Sequence, residues 1–73
     1  MKLNQLKKEQ IGIITNILDS PISIIILERG FYVGQKIKLY QSDIFDSVKI
    51  FDIGTLFMLR KEESELIEIE LLN

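Results

Sequence analysis

SPISIIILERGFYVGQKIKLY, residues 20–40, is the stretch on which the fold turns. Ile22 and the run Ile24, Ile25, Ile26 have strand propensity, because two heavy atoms on Cβ restrict χ1 in a helix. The punctuation around them says helix. Ser20 can accept from the orphan amides of a first turn, Pro21 suits the first helical position, and Gly30 can take the left-handed closing conformation. Glu28 and Arg29, just before that glycine, are ordinary helix formers. The reading is a short helix from Pro21 to Arg29. After Gly34 the period changes. Lys36, Lys38 and Tyr40 alternate with Ile37 and Leu39, the pattern of a half-buried strand.

Upstream, Leu3 and Leu6 with Lys7 and Lys8 behind them suit a short helical turn or an extended lead-in. Ile11, Ile13 and Ile17 fall on a period of two, hence a strand; Ile14 breaks the alternation through burial on both faces or a bulge. Downstream, residues 41–46 read as a loop. Val48, Ile50 and Asp52 share one side of the next strand, which turns at Ile53-Gly54 into Thr55–Arg60, with Gly54 supplying the turn. Residues 61–65 form a charged helical turn. A closing strand carries Ile67, Ile69 and Leu71 inward and Glu68 and Glu70 outward. One strand, one helix and four short strands make a mainly β fold: a small, partly open SH3-like barrel of about five strands with one or two short helices.

Seventy-three residues are enough for one domain, 1–73. With 47% hydrophobic and 27% charged residues the composition is that of a folded chain. A chain this short buries only about 60% of its unfolded surface, so its core is thin. It has no cysteine and no histidine, which excludes disulfides, thiolate zinc sites, cysteine nucleophiles and imidazole acid–base chemistry. Neither catalytic activity nor a tight metal site nor a cofactor is expected. The net charge of −2 and pI near 5.0 argue against nucleic-acid binding, which draws most of its affinity from phosphate neutralisation. Residues 1–40 carry six Lys/Arg against three Asp/Glu and residues 41–73 carry three against eight. No stretch approaches the ~18 apolar residues of a membrane span, and MKLNQLKKEQ has no apolar signal core. A cytoplasmic protein is expected.

The segment IILERGFYVGQKIKL resembles the signature of the FeoA family, ferrous iron transport protein A, through Leu27, Gly30, Gly34, Ile37 and Leu39. The tail MLRKEESELIEIE resembles the family's closing segment through Leu59, Arg60, Ile67 and Ile69. The opening LNQLKKEQIGII resembles its first leucine pair and glycine-bearing strand. Val33 stands where the family commonly has proline, Gln10 near a common glycine, and Ser64 at a common alanine. Ser23 and Ile24 occupy places where the family often has basic residues. The resemblance implies a small cytosolic SH3-like accessory protein, neither enzyme nor transporter. Its partner would be the cytosolic GTPase part of the membrane transporter FeoB, which would bring it to the inner membrane. The same fold resembles the C-terminal domain of iron-dependent repressors, but the helix-turn-helix that contacts DNA is missing here.

The helix has two apolar faces. Ile22, Ile25, Ile26 and Arg29 make one by i, i+3, i+4 spacing, and Ile24, Leu27 and Phe31 make another. Either a partner or a second copy covers the outer face, or the Leu3/Leu6 segment does. The candidate partner-binding residues are Ile24, Leu27, Phe31 and Tyr32, with Phe45 in its polar loop beside Asp43 and Asp46. The structural turn residues are Ser20, Pro21, Gly30, Gly34 and Gly54. Glu62, Glu63, Glu65, Glu68 and Glu70 could be taken for an iron patch. They read better as a soluble outer face, since carboxylates alone hold ferrous iron weakly. Two function classes stand: an interaction protein of the iron transporter, and an SH3-like adaptor or homo-oligomeric module unrelated to iron.

Overall fold

The computed structural model describes residues 1–45 and 47–72. Asp46, the last residue of the expected 41–46 loop, lies outside the described residues. A 3-10 turn at Leu3–Gln5 leads into β1 (Ile11–Ile17), then α1 (Ser23–Glu28), β2 (Lys36–Ser42), β3 (Val48–Asp52), β4 (Leu56–Arg60), α2 (Lys61–Ser64) and β5 (Ile67–Leu71). The five strands form one antiparallel sheet in the order β4-β3-β2-β1-β5. The sheet wraps round a core of Leu3, Leu6, Ile14, Ile26, Phe31, Ile37, Phe51, Leu59, Ile67 and Ile69. This is the expected mainly β, five-stranded architecture with two short helices.

Several expectations of detail are corrected. In β1 the inward phase belongs to Gly12 and Ile14, while Ile11 and Ile13 are only half-buried. The register shifts between Ile14 and Asn16, so a bulge breaks the period of two that linked Ile13 to Ile17. Gly12 stands inward because Ile69 lies over it: an added Cβ would come 3.0 Å from Ile69 Cδ1. β2 runs on through Gln41 and Ser42 past a second irregularity after Leu39, so the loop is shorter than expected. In β3, Val48, Ile50 and Asp52 do share one side, as expected; it is the outer side, with Lys49 and Phe51 turned inward. Lys49 can sit inward because its ammonium donates to the Asn4 carbonyl at 2.6 Å, so burying its stem does not strand the charge. Leu71 is exposed, not inward; β5 runs past the end of the core after Ile69.

The helix exists but is shorter than the sequence suggests. It begins at Ser23, with Ile22 in the cap position and no side-chain cap. Ser20 and Pro21 belong instead to a preceding turn. There the Ser20 carbonyl accepts from the Ser23 amide at 3.1 Å and from the Ser23 hydroxyl at 2.7 Å. Such local bonds offer the backbone an alternative to helix, which is why the helix starts late. Its end is as expected. Gly30 has φ +102°; the Gly30 amide donates to Leu27 and the Phe31 amide to Ile26. Those two bonds define a Schellman closure, accompanied by burial of both Ile26 and Phe31. Six residues could not hold a helix alone, so Ile26 in the core holds this one. The expected turns at Gly34 and Gly54 also carry positive φ.

Candidate interaction surface

The exposed side chains that sequence and fold bring forward lie on α1 and the turn after it. Burying Ile26 forces Ile24 and Leu27, two positions back and one ahead, out of the core: they are 60% and 52% exposed. Ile25, expected on the inner face, is exposed as well. Tyr32 and Val33 follow at 58% each. Phe31 is corrected. Its ring is 1% exposed and meets Phe57 edge-on, with centroids 5.8 Å apart, because the helix closure that bends the chain at Gly30 drives the next side chain inward. It is a core anchor beneath the surface, not part of it.

One residue that sequence reasoning passed over holds this surface in shape. Gln35 is buried, and its Nε2 donates to the Gly30 carbonyl at 3.0 Å while its Oε1 accepts from the Tyr32 amide at 3.3 Å. The side chain thus ties both ends of the 30–35 turn together and fixes how Tyr32 and Val33 are presented. A glutamine in a turn gives no periodic signal; only its burial reveals the role. Arg29 at the helix end pairs with Glu63 of α2 at 3.2 Å, which joins the two helices across a partly buried contact.

Phe45 stands apart, 82% exposed beside the still more exposed Ile44. The loop that carries them is closed by Asp43, whose carboxylate accepts from the Ser47 amide at 2.9 Å and the Ser47 hydroxyl at 2.8 Å. The Ser47 hydroxyl, with lesser help from backbone amides, holds the Asp43 carboxyl below its ordinary value against the opposing cost of burial. Nothing in the geometry joins Phe45 to the α1 surface.

Two glutamates of the tail, Glu63 and Glu68, are engaged locally. Glu63 also accepts from the Arg60 amide at 2.9 Å, and Glu68 lies against Lys2 at 3.9 Å and Asn16 at 3.0 Å. Among the described residues no three Asp or Glu side chains converge as metal ligands. Two open depressions lie beside the Leu3–Gln5 turn, one lined by Lys7, Lys8 and Lys49 and another by Glu62 and Glu65. Among the described residues no helix is long and apolar enough to cross a membrane.

The sequence model of the FeoA domain matches residues 1–71. The chain belongs to the FeoA family. That family consists of small accessory domains associated with ferrous iron transport. Among solved structures, iron(II) transport protein A from Clostridium thermocellum aligns with 99% of this chain at 27% identity and a TM-score of 0.91. This chain spans 46% of that protein's length. A FeoA-like protein from Clostridium acetobutylicum aligns with the whole chain at 21% identity and a TM-score of 0.93, over 87% of its own length. The FeoA protein of Chlorobium tepidum does so at 24% and 0.88, over 71% of its length. These last two bear on the fold alone. No curated protein matches the chain. Against the FeoA pattern, Ser64 in place of alanine is accommodated because its hydroxyl donates to the Lys61 carbonyl at 2.9 Å in a fully buried position. Val33 in place of proline adds an apolar side chain to the exposed surface.

Proposed function

We propose that this FeoA-family chain serves ferrous iron transport as a non-catalytic accessory component, by binding the cytosolic GTPase part of a FeoB-type membrane transporter. It would act in the cytoplasm and reach the inner membrane only through that partner. The observation that carries the reading is the exposure of Ile24, Leu27, Tyr32 and Val33 on one helix and its closing turn, held rigid from below by Phe31 and Gln35. Apolar patches exposed on a small domain are among the marks of an interaction site. The lack of cysteine and histidine supports an interaction role over catalysis or metal handling.

The test is co-purification of the chain with a FeoB-type transporter in detergent, using Ile24→Lys. At 60% exposure the lysine should leave the fold and melting curve intact while placing an unpaired charge in the interface. Removing one buried interface isoleucine costs ~1–3 kcal/mol, roughly tenfold or more in affinity. Undiminished capture of the folded variant would place the contact elsewhere, and Phe45→Ser would then be the variant to try. Absence of any complex with the wild-type chain would refute the proposal.

A further inference from the structure

The two edges of the sheet are treated differently. At β5 the outer edge is occupied by the N-terminus. The Ile69 amide donates to the Met1 carbonyl at 2.8 Å, the Met1 ammonium donates to the Ile69 carbonyl at 3.0 Å, and Lys2 bridges to Glu68. At the other end of the sheet β4 has β3 on one side and, among the described residues, no strand on the other. Most of the usual edge protections are missing there: Leu56–Arg60 contains no lysine or proline, its pairing with β3 runs through five residues without a bulge, and its one charge is Arg60 at the strand's end. Leu56 and Met58 are exposed on the outer face, with Val48 and Ile50 half-buried beside them round a hollow of about 100 Å³.

We propose that β4 is a self-association edge, on which a second copy of this chain pairs β4 to β4 antiparallel about a two-fold axis at Met58. The register follows from the residues. With Met58 on the axis, Leu56 stands opposite Arg60 of the second copy, and no like charges face each other. Because Asp52 is the register partner of Leu56, each Arg60 projects along a row that ends in Asp52 of the other copy. That row is two strand spacings long, roughly 9.5 Å, a gap an arginine and an aspartate side chain can close between them. The central row becomes Ile50–Met58–Met58–Ile50, apolar throughout. Centring the pair on Leu59 instead would draw Lys61 into the edge and leave Leu56 facing nothing. The pairing is self-complementary, as a two-fold contact requires. An edge of this length lies at the small end of specific interfaces, below ~1,200 Å² in total, so the dimer is weak. The inference rests on β4 and does not depend on the role given to α1.

Sedimentation equilibrium over a concentration range of about 10 μM to 1 mM tests it. The wild-type mass should rise from 8.5 kDa toward twice that value. Met58→Lys, which sets two ammonium groups against each other on the axis, should weaken association on the order of tenfold or more with an unchanged melt, and Met58→Leu should retain it. A wild-type chain that stays at monomer mass throughout, or a folded Met58→Lys variant that associates like wild type, overturns the proposal. Should Met58→Lys fail to fold, amide hydrogen exchange on the wild type decides: β4 protection must grow with concentration. If β4 amides are protected only when a transporter's cytosolic region is added, the occupant is an extended partner strand and the second-copy assignment is wrong.

Discussion

Replacing Gly30 by alanine perturbs the helix closure through the backbone alone. A Cβ built at Gly30 meets nothing within 4 Å, so no clash contributes. The whole cost comes from holding an L residue at φ +102°. Such conformations cost about 1–3 kcal/mol. Alanine also narrows the unfolded ensemble, which returns roughly 0.4–1 kcal/mol. Taking the middle of each range, the net loss should be about 1.3 kcal/mol. Asparagine, which tolerates positive φ better, should lose less than alanine, and β-branched valine should lose more. With a urea slope near 1 kcal/mol per molar for a domain this small, the alanine midpoint should fall by about 1.3 M. The assay is a urea melt of the three variants beside wild type. An alanine variant as stable as wild type, or an asparagine variant less stable than alanine, would refute the argument that φ sets the cost. The same series bears on the interaction surface, since the Gly30 carbonyl receives the Gln35 side chain that fixes Tyr32.

Phe31→Ala removes a ring that is fully buried against Phe57 and should cost about 3–5 kcal/mol, a large share of the ~4–11 kcal/mol available to a chain of this length; a thermal melt with little change would return Phe31 to the surface. The Asp43 carboxyl, held low chiefly by the Ser47 hydroxyl, stabilises its loop fully above the unfolded-state carboxylate pKa and loses that contribution as pH falls through the lower folded value. An NMR titration should therefore find Asp43 protonating at lower pH than a free carboxylate, and Ser47→Ala should move its midpoint upward. An unmoved midpoint would show that Ser47 is not the cause.

The order of elements was legible in the chain because each carries a local signal. Alternation marks β2, Gly30 marks the helix stop, and Gly54 marks the β3–β4 turn, each through backbone sterics that act within a few residues. The exposure of Ile24, Leu27 and Tyr32 was also legible, since a helix with isoleucines on every side cannot bury them all. The FeoA motif residues Gly30, Gly34, Ile37 and Leu39 pointed to the family for the same reason: they are the turn and core positions that build the barrel.

What the tertiary structure alone decided depends on long-range contacts. The inward phase of β1 is set by Ile69 lying over Gly12, which has no trace in the local pattern, and by the bulge after Ile14, of which the pattern gave only the broken alternation at Ile14. Phe31 moved from surface to core because the Schellman closure turns it beneath the helix. Gln35 became a structural tie only when the turn folded round it. The contrast between the covered β5 edge and the bare β4 edge needed the strand order, because whether a strand has a neighbour is a property of the whole sheet. Local sterics write the elements into the sequence; which face of each element meets water is fixed only when all of them compete for one small core.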